Sequence, residues 1–202
     1  MKRLIALLAA LILVPNSGFS FAHLWQIQEV YTNASGSVQF VELFDTTNGE
    51  GFLTSGDPTF KFLINGATVN TLTFSNSTAT DGTGDLPSGT ANHSFLIGTA
   101  NMTALFGITP DYIIPANFFS KGAQNSVVFS NSGDTAGLAN LPTDGLMSLN
   151  ASTGGVNSQA SATNFADLTR PIPEPTGAIL VGAGLLVGIL FIRNRRGLPV
   201  LR

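Results

Sequence analysis

The chain of 202 residues contains no cysteine. Disulfides, thiolate metal sites, iron–sulfur clusters and a cysteine nucleophile are excluded together. Charge is scarce as well. Asp, Glu, Lys and Arg make up 10% of the residues, against about 25% in an ordinary soluble domain. Cations are rarer still in the middle of the chain. Between positions 23 and 170 only Lys61, Lys121 and Arg170 are positive; against eleven acidic residues they leave a net charge of −8. Without a basic stripe to follow a phosphate backbone, nucleic acid is not an expected partner. Catalytic vocabulary is equally thin. His23 and His93 are the two histidines. No serine sits in a Gly-x-Ser-x-Gly elbow, and no His-Glu-x-x-His occurs. The expectation is a protein that is not an enzyme.

What the chain does have is phenylalanine (15) and glycine (22), with Ser, Thr and Asn between short apolar runs. In "FKFLINGATVNTLTF" (60–74), Phe60, Phe62 and Ile64 alternate with Lys61 and Leu63 up to Asn65-Gly66. That pair suits a two-residue hairpin turn, whose central residues both need positive φ. "HLWQIQEVY" (23–31) and "SVQFVELF" (37–44) flank a turn at Asn33 to Gly36 and predict a second hairpin. Strict alternation would put Trp25, Ile27, Glu29 and Tyr31 on one face of the first strand, and Val38, Phe40, Glu42 and Phe44 on one face of the second. Further short strands are expected at 93–100, 111–115, 125–131 and 145–150, with a helical turn pair at 101–107. Such spacing predicts an all-β, antiparallel sandwich over residues 23–150. Residues 151–171, "ASTGGVNSQASATNFADLTRP", show little apolar pattern and are expected to be a flexible linker.

Both ends carry handling signals. Residues 1–22 place Lys2 and Arg3 before an apolar run at 4–14, then Pro15, then Ser20-Phe21-Ala22. This is the layout of a secretory signal peptide, with cleavage expected between Ala22 and His23. The run is only eleven residues, about 16 Å of helix, too short for a stable span. Near the other end, residues 177–192 are uncharged and apolar apart from glycines, and Arg193, Arg195 and Arg196 follow. Sixteen helical residues reach about 24 Å, and local thinning of the bilayer closes the remaining gap to a ~30 Å core. Positive charge beside a span stays cytoplasmic, so the domain is expected outside and residues 197–202 inside. Just before the span, Pro173-Glu174-Pro175 forms a stiff segment in which both prolines disfavour helix in the residue ahead of them.

A Pro-Glu-Pro triplet, a short span and a basic cluster, in that order over residues 172–196, resemble the PEP-CTERM sorting signal. The resemblance implies export through the Sec translocon, removal of the leader by signal peptidase, and recognition of Pro173, Glu174 and Pro175 by exosortase, a membrane transpeptidase. It further implies a transient membrane tether at the inner membrane of a Gram-negative bacterium. The final address would be the cell surface or the exopolysaccharide matrix (the biofilm layer of the cell envelope). A second resemblance covers about twenty residues. In "LWQIQEVYTNASGSVQFVELFD", Glu29, Gly36, Phe40, Glu42 and Leu43 are similar to the start of lamin-tail-like domains, which have an Ig-like sandwich and act as binding or scaffolding modules.

Candidate ligands for a cation are few. Glu29 and Glu42 are expected on neighbouring strands, where two carboxylates could share a proton, hold Ca²⁺ or accept hydrogen bonds from strand-end amides. Asp81 and Asp85, in "DGTGD", have spacing compatible with a calcium loop but lack the distal glutamate of an EF-hand. The amine and imidazole of a mature His23 offer a site for a metal such as copper, set against a frayed terminus. No resident cofactor is expected. The leading functional expectation is a non-enzymatic adhesive or scaffolding protein of the exopolysaccharide layer. The alternatives are a carbohydrate-binding module, which needs exposed aromatic rings, and an extracellular hydrolase, which needs clustered carboxylates.

Overall fold

The computed structural model describes residues 22–74, 84–157 and 159–172. Among the described residues twelve short strands form three sheets, accompanied by one six-residue helix. Strand β1 (Gln26–Thr32) pairs with β2 (Gln39–Asp45), and the intervening turn closes through Asn33 N–H to the Val38 carbonyl at 3.0 Å. The second hairpin joins β3 (Thr59–Ile64) to β4 (Ala67–Thr73). Its turn residues Asn65 and Gly66 have φ of 51° and 77°. Both central positions are left-handed, which is why Asn-Gly is found there.

The chain continues through β5 (His93–Thr99), α1 (Asn101–Phe106), β6 (Tyr112–Ile114), β7 (Asn125–Phe129), β8 (Asp134–Gly137) and β9 (Ser148–Asn150). The last three strands are β10 (Gly155–Asn157), β11 (Ser161–Thr163) and β12 (Thr169–Pro171). Six strands form the larger sheet in the order β10-β9-β1-β2-β5-β6, four form the smaller in the order β4-β3-β7-β8, and β11 pairs with β12 alone.

The two larger sheets face each other across the main core. Ile27, Val30, Val41, Leu43, Phe95 and Ile97 of one meet Phe60, Phe62, Val127 and Phe129 of the other. Phe95 is central: its ring makes edge-on contacts with Trp25 at 4.7 Å, Tyr112 at 5.7 Å and Phe129 at 6.1 Å between centroids. Rings at such distances and angles add to area burial through their quadrupoles. The molecule is an all-β fold with packed sheets, as the sequence leads one to expect.

Three expectations need correction. One pair is not antiparallel: β5 and β6 run parallel, joined by the crossover that contains α1. Parallel neighbours need a connection of about a dozen residues, usually helical, and "NMTALFG" supplies it. The helix stops at Gly107 (φ 66°), whose N–H bonds the Thr103 carbonyl at 3.1 Å. Secondly, the alternation along β1 is broken by a register shift between Ile27 and Glu29. A bulge adds one residue, here Gln28, and turns the rest of the strand over to the other face. Trp25, Ile27 and Val30 therefore enter the main core, while Tyr31 joins Phe40 on the opposite side. Thirdly, residues 151–171 are not a flexible linker. They contain β10, β11 and β12 and bury Ala160 and Ala162, with Ile172 buried directly after them.

That third segment covers the second face of the larger sheet. Ala160, Ala162 and Ile172 pack there with Tyr31, Phe40, Leu96, Met102, Phe106 and Ile108. The sandwich is thus capped by a strap of β11 and β12 beside α1. Residues 1–21 of the leader (1–22), the Pro173-Glu174-Pro175 triplet, the span at 177–192, the basic residues Arg193, Arg195 and Arg196, and Asp81 all lie outside the described residues. Among the described residues no helix is long and apolar enough to cross a membrane.

Candidate functional site

Glu29 and Glu42 are directly opposite one another in the β1–β2 ladder. The bulge at Gln28 turns Glu29 away from Trp25, so both carboxylates lie under the strap, on the side of Phe40 rather than of Trp25. Backbone amides of β11 come down onto them. Ser161 N–H donates to Glu29 Oε1 at 2.9 Å, and Thr163 N–H donates to Glu42 Oε2 at 2.9 Å. The Ser94 hydroxyl occupies the other Glu42 oxygen at 2.7 Å, and the Ser148 hydroxyl donates to Glu29.

The pattern goes on for one more step. Phe165 N–H donates to Asp111 Oδ2 at 2.9 Å, and the same oxygen accepts Leu96 N–H at 2.8 Å. Residues 161, 163 and 165 thus hand alternate N–H groups to three acids from β1, β2 and the position just before β6. In an extended chain alternate amides point the same way, so a row of carboxylates grips the strap's backbone as a partner strand would. The turn beyond is fixed by Asn164: its Nδ2 donates to the Thr109 carbonyl at 3.1 Å and its Oδ1 accepts Leu168 N–H at 3.1 Å. His93 opens β5, at the start of the strand expected over 93–100. Its ring stacks on Phe165 (centroids 5.0 Å apart, 25° between planes) and its Nδ1 lies 3.0 Å from Asp167 Oδ1.

Burial dominates the acid–base behaviour of the pair. Glu29 is 8% exposed. Loss of hydration pushes its carboxyl up to about 7, opposed by the bonds from Ser148 and Ser161 and reinforced by the Glu42 charge. Burial raises Glu42 as well, opposed by Ser94 and Thr163. Chemically these are acceptors that hold backbone N–H groups. A carboxylate with a donor on each oxygen, as Glu42 has, is arranged to anchor structure rather than to meet a substrate. The bond to strand amides, one of the expected options for Glu29 and Glu42, is present.

Other expected residues fall elsewhere. Asp85 Oδ1 accepts Thr54 N–H at 2.8 Å. His23 donates its backbone N–H to Glu50 Oε2 at 2.5 Å, while its side chain is half exposed. The rings with polar handles are all inside. Trp25 donates to the Glu50 carbonyl at 2.8 Å, Tyr31 to the Gly145 carbonyl at 3.0 Å and Tyr112 to the Gly84 carbonyl at 3.1 Å. Sequence reasoning misses Asp111 and Glu50. Asp111 adjoins an apolar triplet, the one available hint, and nothing local marks Glu50. A groove of about 520 Å³ opens where the strap ends, lined by Tyr31, Leu105, Phe106, Asp144 and Ile172 among others.

No protein-family model, curated protein or solved structure matches this chain.

Proposed function

We propose that the protein is an exported surface or matrix protein of a Gram-negative bacterium, sorted by a PEP-CTERM signal into the exopolysaccharide layer. There its lamin-tail-like sandwich would serve as a non-enzymatic adhesive or scaffolding unit. The observation that carries the reading is the order of parts at 172–196: Pro173-Glu174-Pro175, the uncharged stretch 177–192, then Arg193, Arg195 and Arg196. The described fold is in keeping with it in one respect. The chain leaves the domain at Ile172, which is 4% exposed and whose N–H bonds the Ala160 carbonyl at 2.9 Å. A pull on the tail would therefore be met one residue from the proposed recognition triplet, by a strap pinned to three acids.

The two rival readings find less support. Trp25, Tyr31 and Tyr112 are 0%, 1% and 0% exposed, and none belongs to an open platform for sugars. Glu29 and Glu42 are taken up by β11 amides.

Replacing Pro173, Glu174 and Pro175 by alanine tests the sorting reading in a strain that has an exosortase. The expected result is a full-length, membrane-held protein that fails to reach the matrix. Normal tail removal and normal delivery would show that this triplet is not the recognition element.

A further inference from the structure

Glu50 lies in the loop after β2, with no neighbour in sequence to suggest a role. Its side chain is 2% exposed. Its Oε2 accepts two successive backbone N–H groups, from His23 at 2.5 Å and Leu24 at 3.1 Å. The rest of the residue is held firmly: its N–H donates to Thr90 Oγ1 at 3.1 Å, and its carbonyl accepts the Trp25 indole N–H at 2.8 Å. A buried carboxylate is therefore fixed against the backbone nitrogen of the residue at which the mature chain is expected to begin.

We infer that Glu50 is the receptor for the mature amino terminus, binding the α-ammonium of His23 once the leader has been cut off. The inference rests on the export reading. In the cleavage, water adds across the Ala22–His23 peptide bond: Ala22 leaves with the carboxylate, and the nitrogen of His23 becomes an amine that takes up a proton. A neutral amide with one N–H is replaced, at the same place, by a cation with three. The amide already makes a charge-assisted bond to the carboxylate; the ammonium adds the attraction of an opposite charge, which strengthens out of water. The His23 imidazole adds a second nitrogen, its Nδ1 3.6 Å from the same oxygen. Processing thus completes an ion pair that the precursor cannot form. For a domain without disulfides it is a means of tightening after export.

Other charges around the site are those on His23 itself, Asp45 behind Thr90 at 3.4 Å, and Asp134, which accepts Ile27 N–H at 2.6 Å. The test compares the chain from His23 to Arg202, released with a native start from a cleavable leader, with the same chain retaining Ala22. Both are also made as Glu50→Gln. The α-amine is titrated through the pH dependence of its acylation, read on the amino-terminal peptide by mass spectrometry. The His23 amine is expected to titrate about one unit or more above the usual ~7.7–8.0. The native-start chain is expected to melt at a higher temperature than the Ala22-retaining chain, with the difference abolished by Glu50→Gln. Should the Gln variants fail to fold, the two starts on unchanged Glu50 still decide the matter. An ordinary amine titration, or equal melting of the two starts, overturns the inference and leaves the export reading standing. A mature start other than His23 in exported protein overturns it too, without touching the carboxy-terminal sorting signal.

Discussion

Changing Glu29 to Gln isolates the acid beneath the strap. In the folded chain its carboxyl titrates near 7, against 4.5 for the free group. A carboxyl raised on folding favours the protonated native state. Its contribution to stability is complete below pH 4.5 and is lost as pH rises through 7. The 2.5-unit difference corresponds to about 3 kcal/mol at full loss, at 1.36 kcal/mol per unit. At 8% exposure, solvent screening removes little of it. Glutamine keeps the shape and the acceptor for Ser161 N–H. It cannot ionise. The two proteins are therefore expected to be about equally stable at pH 5, and the variant more stable at pH 8. Glu42 is still present in the variant and also raised, so some slope remains there; the difference between the two curves is the quantity to read. In urea titrations at pH 5 and 8, with slopes of about 1–3 kcal/mol/M, the wild-type midpoint should fall behind the variant's by roughly 1–3 M at pH 8. Parallel midpoints across this range would refute the argument that burial of Glu29 governs the strap's pH response.

The same geometry sets two further outcomes. Glu42→Ala strands Thr163 N–H and Ser94 Oγ beneath the strap, which at about 1–3 kcal/mol for each group left unsatisfied should cost about 2–6 kcal/mol. Amide hydrogen exchange should then accelerate over 159–172 well before it does in β3 or β7. Gly98→Ala places a Cβ against Met102 Sδ and Pro110 Cγ. Overpacking at the seat of α1 should cost roughly 1–3 kcal/mol, measurable as a lower melting temperature, with the smaller sheet unaffected in its packing.

Much of the sandwich is legible from period-two patterns and turn residues. Asn65-Gly66, the apolar run of β5 and the Val-Val-Phe of β7 are where the structure puts strands and a turn. The departures have separate causes. One inserted residue, Gln28, inverts the faces of β1, and no composition rule announces a bulge. Strand β8, "DTAG", is short and has a single buried side chain, Ala136, so it carries no period to detect. The parallel β5–β6 pair depends on a helix being used as a crossover, which is a tertiary choice. At the site, the proximity of Glu29 and Glu42 is legible as a cross-strand pair. Asp111 is not, because it reaches the strap from the loop before β6, and the strap itself reads as linker.

The linker-like character of the strap has a physical basis. A segment recognised as a strand through its side chains must show alternation, since those side chains do the binding. The strap binds chiefly through its backbone, presenting the N–H groups of residues 161, 163 and 165 to acids that belong to the body of the domain. Its own residues need only be small enough to lie close, as Ala160 and Ala162 do. The information that orders it is therefore written elsewhere, in three acids, Glu29 and Asp111 buried and Glu42 partly so, whose desolvation would be costly without donors to meet them. A polar, pattern-free stretch beside buried, unexplained carboxylates is then a candidate strand, and the identity of its acceptors depends on which acids the sheet brings into line. The same logic holds at the other end, where Glu50 orders residues 23 and 24 through their backbone nitrogens alone.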